Sequence, residues 1–221
     1  MNYLAHARTF LDRPYFAAGT AVPDWLTVSD RGVRMRTKIV DPFLAYDEPV
    51  VAEVAGGILQ HLRDDARFHA TPAFIECTTA ISRLARRILP DETGFRLGFL
   101  GHLLTEVLLD AALADDDRTL LPAYEACLSQ IEPRRVAEVV NLISPRPAVR
   151  LAAFIEQFLA HRILWDYSED GKLLMRLNQV MRRVGLEPLP AEFLAVLPEA
   201  RRLVADRRVA LLAGTPAPPP S

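Results

Sequence analysis

Only two cysteines, Cys77 and Cys127, occur in the 221 residues, and they do not form a C-x-x-C pair. That argues against a disulfide framework or a thiolate metal site, and it fits buried free thiols in a reducing compartment. Net charge is equally scarce. The chain carries 26 Lys and Arg against 28 Asp and Glu, a formal −2, so no overall field draws it to nucleic acid. β-Branched alternation is nearly absent outside residues 33–40, which argues against a strand-rich fold. The opening Met1-Asn2-Tyr3-Leu4-Ala5-His6 has neither the basic start nor the apolar core of a secretory signal, so the expected location is cytoplasmic. Apart from a Pro-rich tail at 214–221, expected to be disordered, no repeat or linker divides the chain.

What remains is helix-forming and half hydrophobic, at 50%, enough for one large core. The expectation is a single all-α bundle over 1–213, with a metal-site half at 1–115 and a scaffold half at 116–213. The pattern places helices at 2–12, from Pro49 to about Ala70, and from Pro72 to Ile88 behind a Thr71 cap. Further helices are expected at Asp91 to Asp115, 117–131, 133–143, 146–165, 169–184 and 190–213. Gly19 to Leu26, interrupted by Pro23, reads as a loop or short helix, with Asp24 in an ordinary turn or cap as the alternative to a site role. Arg34, Arg36 and Lys38 alternate with Met35 and Thr37 as in an extended strand or arm. Gly94, Gly98 and Gly101 are spaced to let a neighbouring helix approach.

The chemistry is concentrated in histidines and carboxylates four residues apart. His102, Glu106 and Asp110 lie inside the apolar run Leu97 to Ala114, and His61, Asp65 and His69 repeat the spacing on another helix. Spanning a membrane with the first of these runs would put three ionisable groups in hydrocarbon, at about 3 kcal/mol each, so a buried helix in a non-spanning protein is expected. Two such stripes facing one another would supply nitrogen and oxygen ligands to one mononuclear or dinuclear site for zinc, manganese or iron. A metal there would activate water and polarise a phosphoryl or acyl oxygen, with Asp65 and Glu106 as catalytic carboxylates. The competing reading of the helix bearing Asp64 and Arg67 is a solvated charged face. His161 reads as structural.

The segments Met1 to His6, Gly19 to Asp24, and Gly57-Ile58-Leu59-Gln60-His61 with Asp65 and Pro72 following resemble the acyl carrier protein phosphodiesterase family. That family is similar to the metal-dependent HD phosphohydrolases and cleaves the phosphodiester joining phosphopantetheine to a serine of acyl carrier protein. The resemblance covers roughly the first 115 residues. It implies an HD-like helical fold, a divalent metal, acyl carrier protein as partner, and His6, Asp24, His61 and Asp65 in the site. His69, His102, Glu106 and Asp110 join that set by spacing alone. Gly19 to Asp24 and Gly98 to Asp110 are also similar to the zinc-dependent phospholipase C group, which implies lipid phosphoester cleavage instead. Two departures stand out. The family's second Asp before a His-Pro pair is missing, and Thr105-Glu106 stands where an Asp-His pair is expected. They motivate the alternative of an inactive helical binding protein. Arg34, Arg36 and Lys38 are candidates to orient a substrate phosphate or an acidic carrier. The later helices would complete the bundle or form an oligomer surface.

Overall fold

A computed structural model describes residues 1–89 and 95–213, and within them every regular element is helical. The chain forms two compact units. One comprises 2–66 and 118–162; the other comprises Met1, 67–117 and 163–213. The expected helix start at Asp91, Gly94 and the tail at 214–221 lie outside the described residues.

The first unit opens with α1 (Tyr3–Ala7), shorter than the expected 2–12, every residue of which is buried. Next comes α2 (Pro14–Ser29), with Pro14 at its first turn, where a missing N–H costs nothing. The helix runs through Pro23 without a break, where a loop or a short helix was expected. An interior proline costs about 3 kcal/mol, but Ala21, Val22, Trp25 and Leu26 around it are all at most 1% exposed, and their burial offsets that cost. Trp25 meets Phe158 edge-on at 5.4 Å, and Phe158 also packs on Tyr3 at 4.7 Å.

The expected arm at 33–40 is extended only up to Arg36; α3 (Thr37–Val40) and a 3-10 turn (Asp41–Ala45) follow. Then α4 (Pro49–Phe68) crosses α2 with backbones touching. A Cβ on Gly57 would lie 2.1 Å from the Phe16 carbonyl oxygen, and one on Gly19 would lie 2.4 Å from that of Val54. Only glycine permits this approach. Three further helices complete the unit: α7 (Leu120–Leu128), α8 (Pro133–Ile143) and α9 (Leu151–His161).

In the second unit, α5 (Pro72–Ile88) begins as its sequence dictates, with the Thr71 hydroxyl accepting the Phe74 N–H at 3.2 Å and Pro72 in the first turn. It packs along α6 (Phe95–Asp116), and a Cβ on Gly101 would lie 2.3 Å from the Thr78 carbonyl oxygen. Gly98 meets nothing within 4 Å, so of the described glycines in the expected stripe only Gly101 serves the crossing. The region expected to be helix 190–213 is broken: a 3-10 turn (Ala191–Ala195) precedes α11 (Leu197–Leu211), after α10 (Asp170–Arg183). Likewise 146–165 resolves into α9 and a 3-10 turn (Ile163–Ser168), with Arg162 between them in the left-handed conformation at φ 46°.

Among the described residues one helical stretch, Arg96–Asp116, is long and apolar enough to cross a membrane by length and composition. Here it packs against α5 and α11, with Leu97, Leu100, Leu104 and Leu108 buried. Both cysteines are buried free thiols.

Candidate metal centres

Two groups of ligand atoms converge, one in each unit. Side chains four residues apart on a helix drift by about 40° per step, so His61 and His69 diverge by about 80°. Helix α4 also ends at Phe68, leaving His69 in the following turn. The same drift separates Asp110 from His102.

In the first unit, His6, His61 and Asp65 bring one ligand atom each to within 4.8 Å of one another. The two imidazoles stack at 4.1 Å between centroids, inclined by 25°. Each ring is oriented through Nδ1. His6 Nδ1 lies 3.4 Å from Asp64 Oδ2, and His61 Nδ1 lies 2.8 Å from the Thr20 carbonyl oxygen. A carbonyl and a carboxylate only accept, so each Nδ1 carries a proton and each Nε2 of the neutral ring presents its lone pair. Both Nε2 atoms lie near another acceptor: His6 Nε2 is 3.3 Å from Asp65 Oδ1, and His61 Nε2 is 3.4 Å from Asp65 Oδ2. His6 Nε2 is buried with no aligned hydrogen-bond donor or acceptor. Two lone pairs and a carboxylate meeting in a buried space require a cation between them, whether a proton on an imidazole or a metal ion.

The titration of these groups reflects that demand. Burial opposes charging of His61, yet the charge of Asp24 and the hydrogen bond and charge of Asp65 prevail and raise its pKa above the ordinary value. For Asp65, burial would favour the neutral acid, but the adjoining His6 and His61 rings hold the carboxyl well below the usual carboxylate range.

Asp64 is the residue the sequence reading missed. Named only in the competing reading of a solvated face, it is 1% exposed, and the Gln60 amide donates to its Oδ1 at 2.8 Å. It thus holds His6 as a carboxylate holds a metal-bound histidine. The signal was present, because Gly57, His61, Asp64 and Phe68 recur at steps of four, three and four, the period of the face α4 buries. No residue type could have announced the Thr20 carbonyl, a backbone group in α2.

In the second unit, His69, His102 and Glu106 form the other group. Glu106 Oε1 lies 2.9 Å from His69 Nε2, 3.1 Å from His102 Nε2 and 3.0 Å from the Met1 ammonium. Phe74 walls the pair, its ring 4.8 Å from His69 and 5.0 Å from His102. Burial would raise the Glu106 pKa, but the Met1 ammonium, His102 and His69 hold it well below the carboxylate range.

The remaining expected site residues are placed elsewhere. Asp24 sits within α2 and acts on His61 through its charge, but it is not among the converging ligand atoms. Asp110 is 2% exposed in α6 and belongs to neither group. Arg34 and Arg36 lie in the segment before α3, and Lys38 lies within it, all exposed. His161, read as structural, closes α9 with Nδ1 2.7 Å from the Gln157 carbonyl.

Fold and site together define an all-α protein carrying two histidine–carboxylate groups able to hold metal ions. Comparison with models of known protein families, with curated proteins and with solved structures finds no match.

Proposed function

We propose that the chain is a divalent-metal-dependent phosphoester hydrolase centred on His6, His61 and Asp65. The observation supporting it most is the pair of imidazoles whose Nδ1 protons are fixed by Asp64 and the Thr20 carbonyl, leaving both Nε2 atoms and Asp65 converging in a largely buried space. Two nitrogens and a carboxylate suit zinc, manganese or iron, and three protein ligands leave coordination positions for water and substrate. A bound divalent ion would lower the pKa of its water and polarise a phosphoryl oxygen.

The protein's own part is orientation and proton handling. Asp64 and Thr20 hold the rings, and Asp65, 30% exposed at its side chain, is the ligand most open to solvent, where its carboxylate would accept a hydrogen bond from the water to be activated. Glu106, with His69 and His102, forms a second donor set of the same chemistry in its own unit. The proposed substrate is a phosphodiester, with a phosphopantetheinyl carrier protein as the specific candidate from the resemblance of residues 1–115.

The test is elemental analysis of the purified chain, with turnover of bis(p-nitrophenyl) phosphate and of phosphopantetheinylated acyl carrier protein. Stoichiometric zinc, manganese or iron and a phosphodiesterase activity abolished in a folded Asp65→Asn protein are expected. Folded protein that takes up none of these metals refutes the reading. Metal uptake without cleavage of either substrate leaves the binding-protein alternative in its place.

A further inference from the structure

We propose that a pocket lined by Arg34, Arg36 and Arg146 binds the phosphoryl group of a small soluble phosphate ester, independently of the metal groups. The pocket lies wholly within the first unit, between the segments 32–39 and 144–146, and encloses about 270 Å³. That is near the lower end of small-ligand sites, roughly 300–1,000 Å³, and sets the scale of the ligand at a phosphoryl group with a few attached atoms.

The sequence builds it by alternation. Val33 and Met35 are buried, 5% and 8% exposed, which in extended backbone sends Arg34 and Arg36 to the opposite, exposed side. The other wall is a short turn in which the Arg146 N–H donates to the Ser144 hydroxyl at 3.2 Å. The Arg146 guanidinium then reaches across to the Gly32 carbonyl at 3.3 Å and joins the two segments.

Charge balance favours an anionic ligand. No carboxylate lines the pocket, and neither Arg34 nor Arg36 has an acidic partner among the described residues. Several other arginines of the unit are ion-paired: Arg13 with Glu53, Arg135 with Glu48 and Glu138, Arg150 with Asp30, and Arg162 with Glu125. Three guanidiniums sharing one concavity repel one another until an anion enters, and their planar donor forks match the oxygens of phosphate.

Calorimetric titration of the full chain with inorganic phosphate and with glycerol 3-phosphate, at constant ionic strength, tests this. Both should bind the wild type and His61→Ala alike, and at least tenfold more weakly to the Arg34→Gln/Arg36→Gln double variant, whose exposed positions leave the fold intact by circular dichroism. Unchanged binding by the double variant overturns the proposal, as does binding lost in His61→Ala but kept in the double variant. Sedimentation with phosphatidic-acid vesicles separates the sources of phosphate, and capture by vesicles without binding of either soluble probe also overturns it.

Discussion

Replacing Gly57 with alanine tests whether the α2–α4 crossing is what positions His61. The new Cβ would lie 2.1 Å from the Phe16 carbonyl oxygen and 2.8 Å from both Gly19 Cα and Thr20 N, all backbone atoms that cannot rotate away. Restoring a separation of 3.0 Å requires α2 and α4 to part by about 0.9 Å. Overpacking of this kind costs about 1–3 kcal/mol, and a rigid backbone contact belongs at the upper end. Alanine's better helix propensity returns about 1 kcal/mol, so the net loss is about 2 kcal/mol. At about 2–4 °C per kcal/mol for a chain of this size, Tm falls by roughly 4–8 °C. The same displacement carries the Thr20 carbonyl, now 2.8 Å from His61 Nδ1, to the edge of hydrogen-bonding range or beyond. Loss of such an orienting partner lowers metal affinity by about 10–100-fold. Thermal melting and metal titration of Gly57→Ala beside Gly98→Ala provide the assay. Gly98 has nothing within 4 Å of its Cβ position, so alanine there should stabilise by up to about 1 kcal/mol. A Gly57→Ala protein as stable as wild type would refute the crossing. One that is destabilised but binds metal normally would show that the Thr20 carbonyl does not set the His61 ring.

Asp64→Asn keeps the shape of the side chain but weakens its hold on the His6 Nδ1 proton, so metal affinity should fall about 10–100-fold while Asp64→Glu recovers part of it; equal affinity in all three proteins would remove Asp64 from the site. Glu106 contributes to pH dependence in the metal-free protein. Its folded pKa is depressed, so its stabilising contribution is complete above the unfolded value near 4.5 and is lost as pH falls through the lower folded value. Urea melts between pH 6 and pH 2, roughly the carboxylate range, should therefore show a shallower acid loss for Glu106→Gln than for wild type; parallel curves would contradict the assigned ion pairs.

Much of the fold was legible because it rests on local rules. Pro49, Pro72 and Pro133 open helices at the first turn, and Thr71 caps the second of them as its position before Pro72 indicates. The continuous helix through Pro23 was legible only as one of two readings, a loop or a short helix. Its cost is local, whereas the offsetting burial of Val22, Trp25 and Leu26 depends on partners distant in sequence, such as Phe158 beneath Trp25. The extended reading of 33–40 failed halfway for a related reason, since Val33 and Met35 follow period two but Thr37–Val40 closes into a helical turn.

The candidate site divides along the same line. Spacing alone determined that imidazoles and carboxylates would stand one turn apart on α4 and α6, because helical geometry converts a step of four directly into proximity. Spacing did not determine the grouping. The drift of about 40° per step, and the end of α4 at Phe68, sent His61 and Asp65 to His6 and left His69 to His102 and Glu106. Only tertiary structure could bring His6 across 55 residues to His61, bury Asp64 behind it and turn a Thr20 carbonyl onto the second ring. Those contacts are made by chain segments whose approach depends on the whole packed unit, and above all on the glycines where α2 and α4 touch.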